Sequence, residues 1–165
     1  VVPTTADRAE QMREVVKGWP GRPITIAPEG IKNGEYVSEK SSAFGVADGA
    51  LAASGTVSLE LAAAGTPILI ANDVNRLTRE IIERMLKIDT ITLVNLVSET
   101  RAVPELNGRD CKADLIAPRL LELLDDPGDQ PNAMRVTIER LGRGGEDPGL
   151  RAAKAVLARI DKTKA

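Results

Sequence analysis

A short segment near the middle of the chain, Ser54-Gly55-Thr56, combines residue types that suit a phosphate group. Glycine lets the backbone approach a ligand closely, and both hydroxyls can donate hydrogen bonds to a diphosphate. The apolar residues 50–53 precede the segment and a helical pattern follows it, so it lies where backbone amides and a helix dipole attract anions. Helix capping by Ser54 or Thr56 is the commoner use of such residues, and it remains the alternative.

Glu60 adds a carboxylate to the helix predicted after this segment. Val57, Leu61 and Ala64 are spaced at i, i+4 and i+7, which predicts the apolar stripe of that helix. Glu60 lies at the edge of the stripe, where a carboxylate is costly without partners. The two vicinal hydroxyls of a ribose would be suitable partners, because an ionised carboxylate can accept a hydrogen bond from each. A surface glutamate paired with a nearby arginine is the alternative, and the residue types alone do not separate the two.

The surrounding sequence alternates between strand and helix patterns, which favours βαβ units and a parallel sheet. Strands are predicted at residues 1–2, 23–27, 49–52, 67–70 and 91–94. Helices are predicted at residues 6–17, 41–47, 56–64, 77–87, 112–124, 131–141 and 150–160, with loops at 29–36, 72–75 and 101–109. Gly65 should end the helix of 56–64 in a left-handed conformation. The fold class predicted is α/β, with a Rossmann-like parallel sheet flanked by helices.

The composition excludes several classes of function. The chain has 165 residues and a net charge of −2, with 22 basic and 24 acidic residues, so it carries no electrostatic footprint for nucleic acid. Aromatic residues make up only 2%, which argues against a base-stacking platform and predicts a core of Leu, Ile, Val and Ala. The sequence contains no histidine, the commonest general base and metal ligand.

Two further features bear on location and completeness. Cys111 is the single cysteine, which makes a reducing cytoplasmic setting the default, and no run approaches the roughly 20 apolar residues that span a bilayer. The chain opens with Val1-Val2-Pro3, which is typical of the end of a buried strand and lacks an initiator methionine. We therefore expect a fragment of a longer protein.

Residues 48–64 and 67–70 resemble the sugar-nucleotide half of the two-domain glycosyltransferases of GT-B architecture. A narrower resemblance lies in residues 92–97 (Thr-Leu-Val-Asn-Leu-Val) and 103–106 (Val-Pro-Glu-Leu), which are similar to the Asn-Leu and Pro-Glu signatures of lipid A disaccharide synthases. The similarity runs from residue 1 to about residue 126. The resemblance implies that the sheet is one half of a GT-B architecture with added C-terminal helices.

The resemblance implies donor-binding roles for six residues: Ser54, Gly55, Thr56, Glu60, Asn95 and Glu105. The first three would contact the diphosphate, and the fourth the ribose. The asparagine would contact the donor near the transfer centre, unless it only satisfies backbone groups at a strand end, and the second glutamate would lie near the same cleft. Residues 72–74 depart from the family, in which many members have a Tyr-Arg pair here. Arg76 or Arg79 could supply the missing cation, although i, i+4 pairing on a helix also explains both.

The activity implied by the resemblance is transfer of a 2,3-diacylglucosamine unit from UDP to an acylated glucosamine 1-phosphate. The products would be the lipid A disaccharide precursor and UDP. The chain has no Asp-x-Asp pair suited to a metal-diphosphate bridge, so we expect a metal-independent site without a cofactor. The catalytic base is expected in an absent N-terminal half, which leaves this chain inactive alone. The resemblance also implies that the full-length enzyme is cytoplasmic and peripheral to the inner membrane.

The predicted organisation is a UDP-sugar-binding domain at residues 1–126, truncated at its N-terminal side, with a helical segment at residues 127–165 packing on it. One alternative function is a related GT-B UDP-sugar transferase or a UDP-sugar 2-epimerase, against which residues 92–106 argue. Another is a non-catalytic Rossmann-like nucleotide-binding module or interaction domain. The absence of a Gly-x-Gly-x-x-Gly fingerprint after the first strand counts against a dinucleotide cofactor.

Overall fold

The computed structural model describes residues 1–27, 33–73, 89–146 and 148–164. The predicted helix at 77–87 and the candidate cations Arg76 and Arg79 lie outside these residues. Among the described residues, none of the helices combines the length and apolar character needed to cross a bilayer.

The described strands form two parallel sheets. Strands β1 (Val2–Pro3) and β2 (Thr25–Ile26) pair with each other. Strands β3 (Ala50–Ala52), β4 (Ile68–Asn72) and β5 (Glu105–Asn107) form the larger sheet, in the order β3-β4-β5. Its register places Ala52, Ile70 and Glu105 in one row across the three strands. Parallel neighbours require crossover connections, and helices lie between the strands, so the predicted α/β class is confirmed.

The described helices are α1 (Ala9–Val16), α2 (Asn33–Gly45), α3 (Val57–Ala64), α4 (Leu93–Ser98), α5 (Ala113–Asp125), α6 (Gln130–Arg140) and α7 (Pro148–Lys164). Short 3-10 turns at Ala6–Arg8 and Gly108–Asp110 adjoin α1 and β5. Gly65 ends α3 with a φ of +78°, as predicted from its position after an apolar run. In the larger sheet, α3 packs on β3 and α5 on β4, while α6 packs on α3 and α4.

Three predictions about these elements are wrong. The predicted strand at 91–94 is an extended segment that ends at Thr92, and α4 begins at the next residue, Leu93. The predicted loop at 101–109 contains β5, and the last part of the predicted loop at 29–36 belongs to α2, which begins at Asn33. Gly34 misled the prediction, because a glycine inside a helix costs only about 1 kcal/mol and tertiary contacts can offset that cost.

The core lies between the larger sheet and helices α2, α3, α4 and α6. Its buried members are Phe44, Leu61, Ala62, Ile68, Ile70, Val94, Val103, Ala133 and Met134. The core is aliphatic as predicted, with one phenylalanine and one methionine added. The stripe predicted on α3 is partly wrong, because its buried residues are Ser58, Leu61 and Ala62, whereas Ala64 is exposed. Helix α6 supplies two core residues, Ala133 and Met134, although the predicted division at residue 126 sets it apart; that division stays a prediction.

Candidate functional site

The turn that joins β3 to α3 lies at the carboxyl edge of the larger sheet. Gly55 has a φ of +148°, a conformation that residues with a side chain rarely adopt. No described atom lies within 4 Å of the place where a Cβ of residue 55 would stand. The turn thus requires glycine for its conformation, and among the described residues it leaves the backbone of Gly55 open. In the first turn of α3, the amides of Ser58 and Leu59 donate to the carbonyls of Gly55 and Thr56, at 3.2 and 3.0 Å.

The hydroxyls around this turn are used in ways that capping does not explain. Thr56 precedes α3 but makes no side-chain capping hydrogen bond, so the capping alternative is wrong for this residue. The Oγ of Ser54 donates to the carbonyl oxygen of Ile91 at 3.1 Å. The buried Oγ of Ser58 donates to the carbonyl of Gly55 at 2.7 Å. The turn is therefore held from inside by Ser58 and from the segment before α4 by Ser54.

Glu60 lies one turn into α3 and is paired with a cation. The Nζ of Lys40, on α2, lies 2.6 Å from Oε2 of Glu60. The side chain of Glu60 is 43% exposed, whereas that of Lys40 is only 20% exposed. The Nζ of Lys40 also lies 5.9 Å from the centre of the Phe44 ring, within the range of a cation–π contact. The alternative of an ion-paired glutamate is thus partly correct, with a lysine in place of the arginine, and the carboxylate keeps exposed surface.

Asn95 is buried in α4 with its carboxamide hydrogen-bonded within the chain. It is 1% exposed. Its Nδ2 donates to the carbonyl of Val103 at 2.8 Å and to Oγ1 of Thr90 at 3.1 Å. Its Oδ1 accepts from the amide of Val103 at 3.0 Å. The carboxamide therefore joins the start of α4 to the segment before β5.

Glu105 opens β5 and receives hydrogen bonds from the segment before α4. Its Oε2 accepts from the amide of Ile91 and its Oε1 from the amide of Thr92, each at 3.1 Å. The hydroxyl of Thr90 and the Nδ2 of Asn95 also donate to Oε1, and Nδ2 of Asn107 donates to Oε2 at 2.8 Å. Burial by itself would raise the pKa of Glu105, but the hydrogen bonds, that from Thr90 first, outweigh burial and lower the pKa below the usual value. The carboxylate is therefore ionised.

These contacts connect several of the predicted site residues. The peptide groups of Ile91 link Ser54 to Glu105, because the Ile91 amide donates to Glu105 and the Ile91 carbonyl accepts from Ser54. Asn95 joins the same network through its contacts with Thr90 and Glu105. Glu60 stands apart from that network, on the α3 surface that meets α2.

Sequence reasoning did not single out Lys40, Thr90 or Ile91. The spacing of Lys40 four residues before the buried Phe44 places both on one face of α2, a signal that was available. The contact between Ser54 and Ile91 spans 37 residues and has no local signal.

Comparison with known proteins identifies the family of the chain. A family model described as lipid-A-disaccharide synthetase matches residues 28–158. The lipid-A-disaccharide synthase of Ruegeria pomeroyi is 57% identical over 160 residues, which cover 97% of this chain and 40% of that protein. That of Paramagnetospirillum magneticum is 38% identical over 169 residues, and that of Rhodospirillum centenum 36% over 165 residues.

In the last two comparisons the match covers 99% and 98% of this chain, but only 41% and 39% of the relatives. The chain thus spans about 40% of the length of these curated proteins. The alternatives of a UDP-sugar 2-epimerase and of a non-catalytic nucleotide-binding module are not favoured by these matches. On the extent of the family match and the identity to these relatives, the chain belongs to the lipid-A-disaccharide synthetase family.

Proposed function

We propose that this chain is the donor-nucleotide-binding part of a lipid-A-disaccharide synthase and that it holds the UDP group of UDP-2,3-diacylglucosamine. The longer enzyme would transfer the diacylglucosamine unit to an acylated glucosamine 1-phosphate, releasing UDP. One observation carries the proposal: the Gly55 turn at the sheet edge opens the helix that also bears the half-exposed carboxylate of Glu60. In open α/β sheets, ligands bind at this edge.

The diphosphate is assigned to the turn formed by Ser54, Gly55 and Thr56. The φ of Gly55 keeps the backbone clear of side chains there, which suits the close approach of phosphate oxygens. The positive end of the α3 dipole favours a negative charge at this turn. Because the leaving UDP gains negative charge during transfer, the dipole would stabilise the transition state as well as the bound donor.

The ribose is assigned to Glu60. Its carboxylate is exposed enough to accept hydrogen bonds from the two vicinal hydroxyls. Lys40 lies against Oε2, which limits the rotamers of the carboxylate. A carboxylate that is already held in place loses less side-chain entropy when it binds.

Asn95 and Glu105 are placed by this proposal at the diphosphate end of the site, next to the segment that Ser54 contacts. Their direct contact with the donor stays a prediction. The catalytic base is assigned to the remainder of the longer enzyme, because this chain contains no histidine. The acceptor, the N-terminal domain and any peripheral contact with the inner membrane belong to the same proposal for the whole enzyme.

Two measurements test the proposal. In a thermal-shift panel of UDP, UDP-N-acetylglucosamine, NAD and ATP, the full-length enzyme should be stabilised by the uridine nucleotides alone. Equal stabilisation by NAD or ATP would contradict a uridine site. The second measurement is turnover by the isolated 165-residue chain, which should form no disaccharide; product formation by that chain would show that the base lies within it.

A further inference from the structure

We infer that Glu105 is a positioning residue for the phosphate-binding turn, acting on Ser54 through the peptide groups of Ile91. The inference rests on the proposed function and deepens it. It gives Glu105 a role that needs no contact with the donor.

The segment Thr90–Thr92 is held by one carboxylate. Both the Ile91 and the Thr92 amides donate to Glu105, at 3.1 Å each, and the Thr90 hydroxyl donates to it as well. Thr90 and Thr92 are 2% and 0% exposed. Buried amides need partners, and a charged acceptor forms about twice as strong a hydrogen bond as a neutral one. Glu105 therefore accepts the backbone hydrogen bonds of this segment that a neighbouring strand would accept in a sheet, and so fixes the segment.

The carboxylate has no acceptor position to spare for a ligand. Two ionised oxygens offer about four lone-pair positions. Four donors of the chain fill them: the three of the segment Thr90–Thr92 and the Nδ2 of Asn107. The Nδ2 of Asn95 lies beside Oε1 as well, at 3.2 Å. A ribose or sugar hydroxyl could bind to Glu105 only by displacing one of these four donors. The geometry thus favours a role in which Glu105 positions other residues of the chain and does not contact the donor.

Asn95 locks the same segment from the other side. Its Nδ2 contacts both Thr90 and Glu105, and its carboxamide makes two hydrogen bonds with the backbone of Val103. Val103 is 1% exposed and leads into β5. The start of α4 and the start of β5 therefore form one rigid unit in which Thr90–Thr92 has little freedom to move.

Among the described residues, the rigid unit reaches the phosphate-binding turn through the hydroxyl of Ser54. The Oγ of Ser54 donates to the carbonyl of Ile91 at 3.1 Å. Ser54 directly precedes Gly55, whose backbone is assigned to the diphosphate. The Ile91 carbonyl shares its peptide group with the Thr92 amide, and Glu105 accepts from that amide as well as from the amide of Ile91, so it fixes the peptide groups on both sides of Ile91. Loss of Glu105 should hence loosen the turn as removal of the Ser54 hydroxyl does.

The test is a double-mutant cycle on UDP affinity in the full-length enzyme, measured by calorimetry with Ser54→Ala, Glu105→Gln and the double variant. Each single change should weaken UDP binding by about 3- to 10-fold, and the double variant should be no weaker than the poorer single variant, since both act on one linkage. If the double variant loses UDP affinity by the product of the two single losses, Glu105 acts on the donor independently of Ser54. If Glu105→Gln leaves UDP affinity unchanged, Glu105 serves the fold alone. Either result overturns the inference.

A second pair of variants covers the case in which Glu105→Gln fails to fold. Thr90→Val removes the hydroxyl that donates to Glu105 but keeps the shape of a residue that is 2% exposed, whereas Thr90→Ser keeps the hydroxyl. In the otherwise unmodified enzyme, Thr90→Val should weaken UDP binding, and Thr90→Ser should leave UDP affinity unchanged. In the enzyme that already carries Ser54→Ala, Thr90→Val should weaken UDP binding no further. Equal weakening in both backgrounds overturns the inference. Failure of the proposed function would look different, because the unmodified enzyme would then show no preference for UDP.

Discussion

The side-chain amide of Gln130 makes two hydrogen bonds with the backbone of Ile68: its Oε1 accepts from the Ile68 amide at 2.8 Å, and its Nε2 donates to the Ile68 carbonyl at 3.0 Å. Gln130 is the first residue of α6 and is 1% exposed, while Ile68 opens the central strand of the larger sheet. The glutamine occupies the hydrogen-bonding groups that a neighbouring strand would otherwise use. It thereby fastens α6 to β4 across 62 residues of sequence.

Gln130→Leu should destabilise the protein by about 2–4 kcal/mol, because it leaves the amide and the carbonyl of Ile68 buried without partners. The change in the free energy of unfolding can be measured by urea denaturation. Gln11→Leu is the matched control, since Gln11 is exposed on α1 and bonds only to Arg8 in the described hydrogen bonds. Equal free energies of unfolding for Gln130→Leu and Gln11→Leu would contradict the structural role of Gln130.

Glu99→Gly should stabilise the protein by up to about 1 kcal/mol. Glu99 ends α4 with a φ of +61°, and a residue with a side chain pays roughly 1–2 kcal/mol for this left-handed conformation. Its side chain is 78% exposed and its ion pair with Arg140 contributes little. Glu99→Ala serves as the control, because it loses the ion pair but keeps the strained backbone. A Gly variant less stable than the Ala variant would contradict the prediction.

The stability of the fold should depend on the ionisation of Glu105. Its pKa in the folded protein lies below the ordinary value of 4.5, so folding favours the ionised form. The stabilisation is present above about pH 4.5 and is lost as the pH falls through the folded pKa. The difference in unfolding free energy between the wild-type protein and Glu105→Gln should thus shrink as the pH is lowered below about 4.5.

Asp89→Asn is the control for this pH series. The hydrogen bond from Arg101 lowers the pKa of Asp89 too, but Asp89 is exposed and solvent screens the pair. Its replacement should therefore change the pH dependence less than Glu105→Gln does. A larger effect of Asp89→Asn would show that Glu105 is not the group that dominates the acid response.

The β3–α3 unit was predictable because its signals are local. An apolar strand, a glycine turn, a helix and the left-handed cap at Gly65 follow one another within residues 50–65, and each element is chosen by its own residues. The strand predicted at 91–94 failed for the opposite reason. Its β-branched residues favour a strand, but the amides of Ile91 and Thr92 bond to Glu105, which is distant in sequence, and α4 can then begin at Leu93.

The candidate site likewise contains residues that local sequence could identify and contacts that depend on the fold. The glycine turn and Glu60 could be found from residue type and spacing. The pairing of Glu60 with Lys40 and the hydrogen bond from Ser54 to Ile91 depend on how α2 and the segment before α4 pack. Spacing places Lys40 on the face of α2 that carries Phe44, but it does not identify Glu60 or Ile91 as a partner. Asn95 was singled out by resemblance, yet its hydrogen bonds to Val103 come from the fold.

The central claim is that Glu60 binds the ribose of a uridine nucleotide, and calorimetry on the full-length enzyme tests it most directly. Glu60→Ala should lose about 1.5–3 kcal/mol of affinity for UDP, the range for a hydrogen bond to a charged group. It should lose none for 2′,3′-dideoxyuridine diphosphate, which lacks both hydroxyls. Lys40→Met/Glu60→Ala, which also removes the partner cation, should behave in the same way.

Glu122→Ala is the control, because Glu122 is an exposed glutamate paired with Arg119 at 2.9 Å on α5, and it should leave both affinities unchanged. The account predicts a loss in Glu60→Ala that is specific to the nucleotide with ribose hydroxyls. Unchanged UDP affinity in Glu60→Ala, or an equal loss for the two nucleotides, would contradict it.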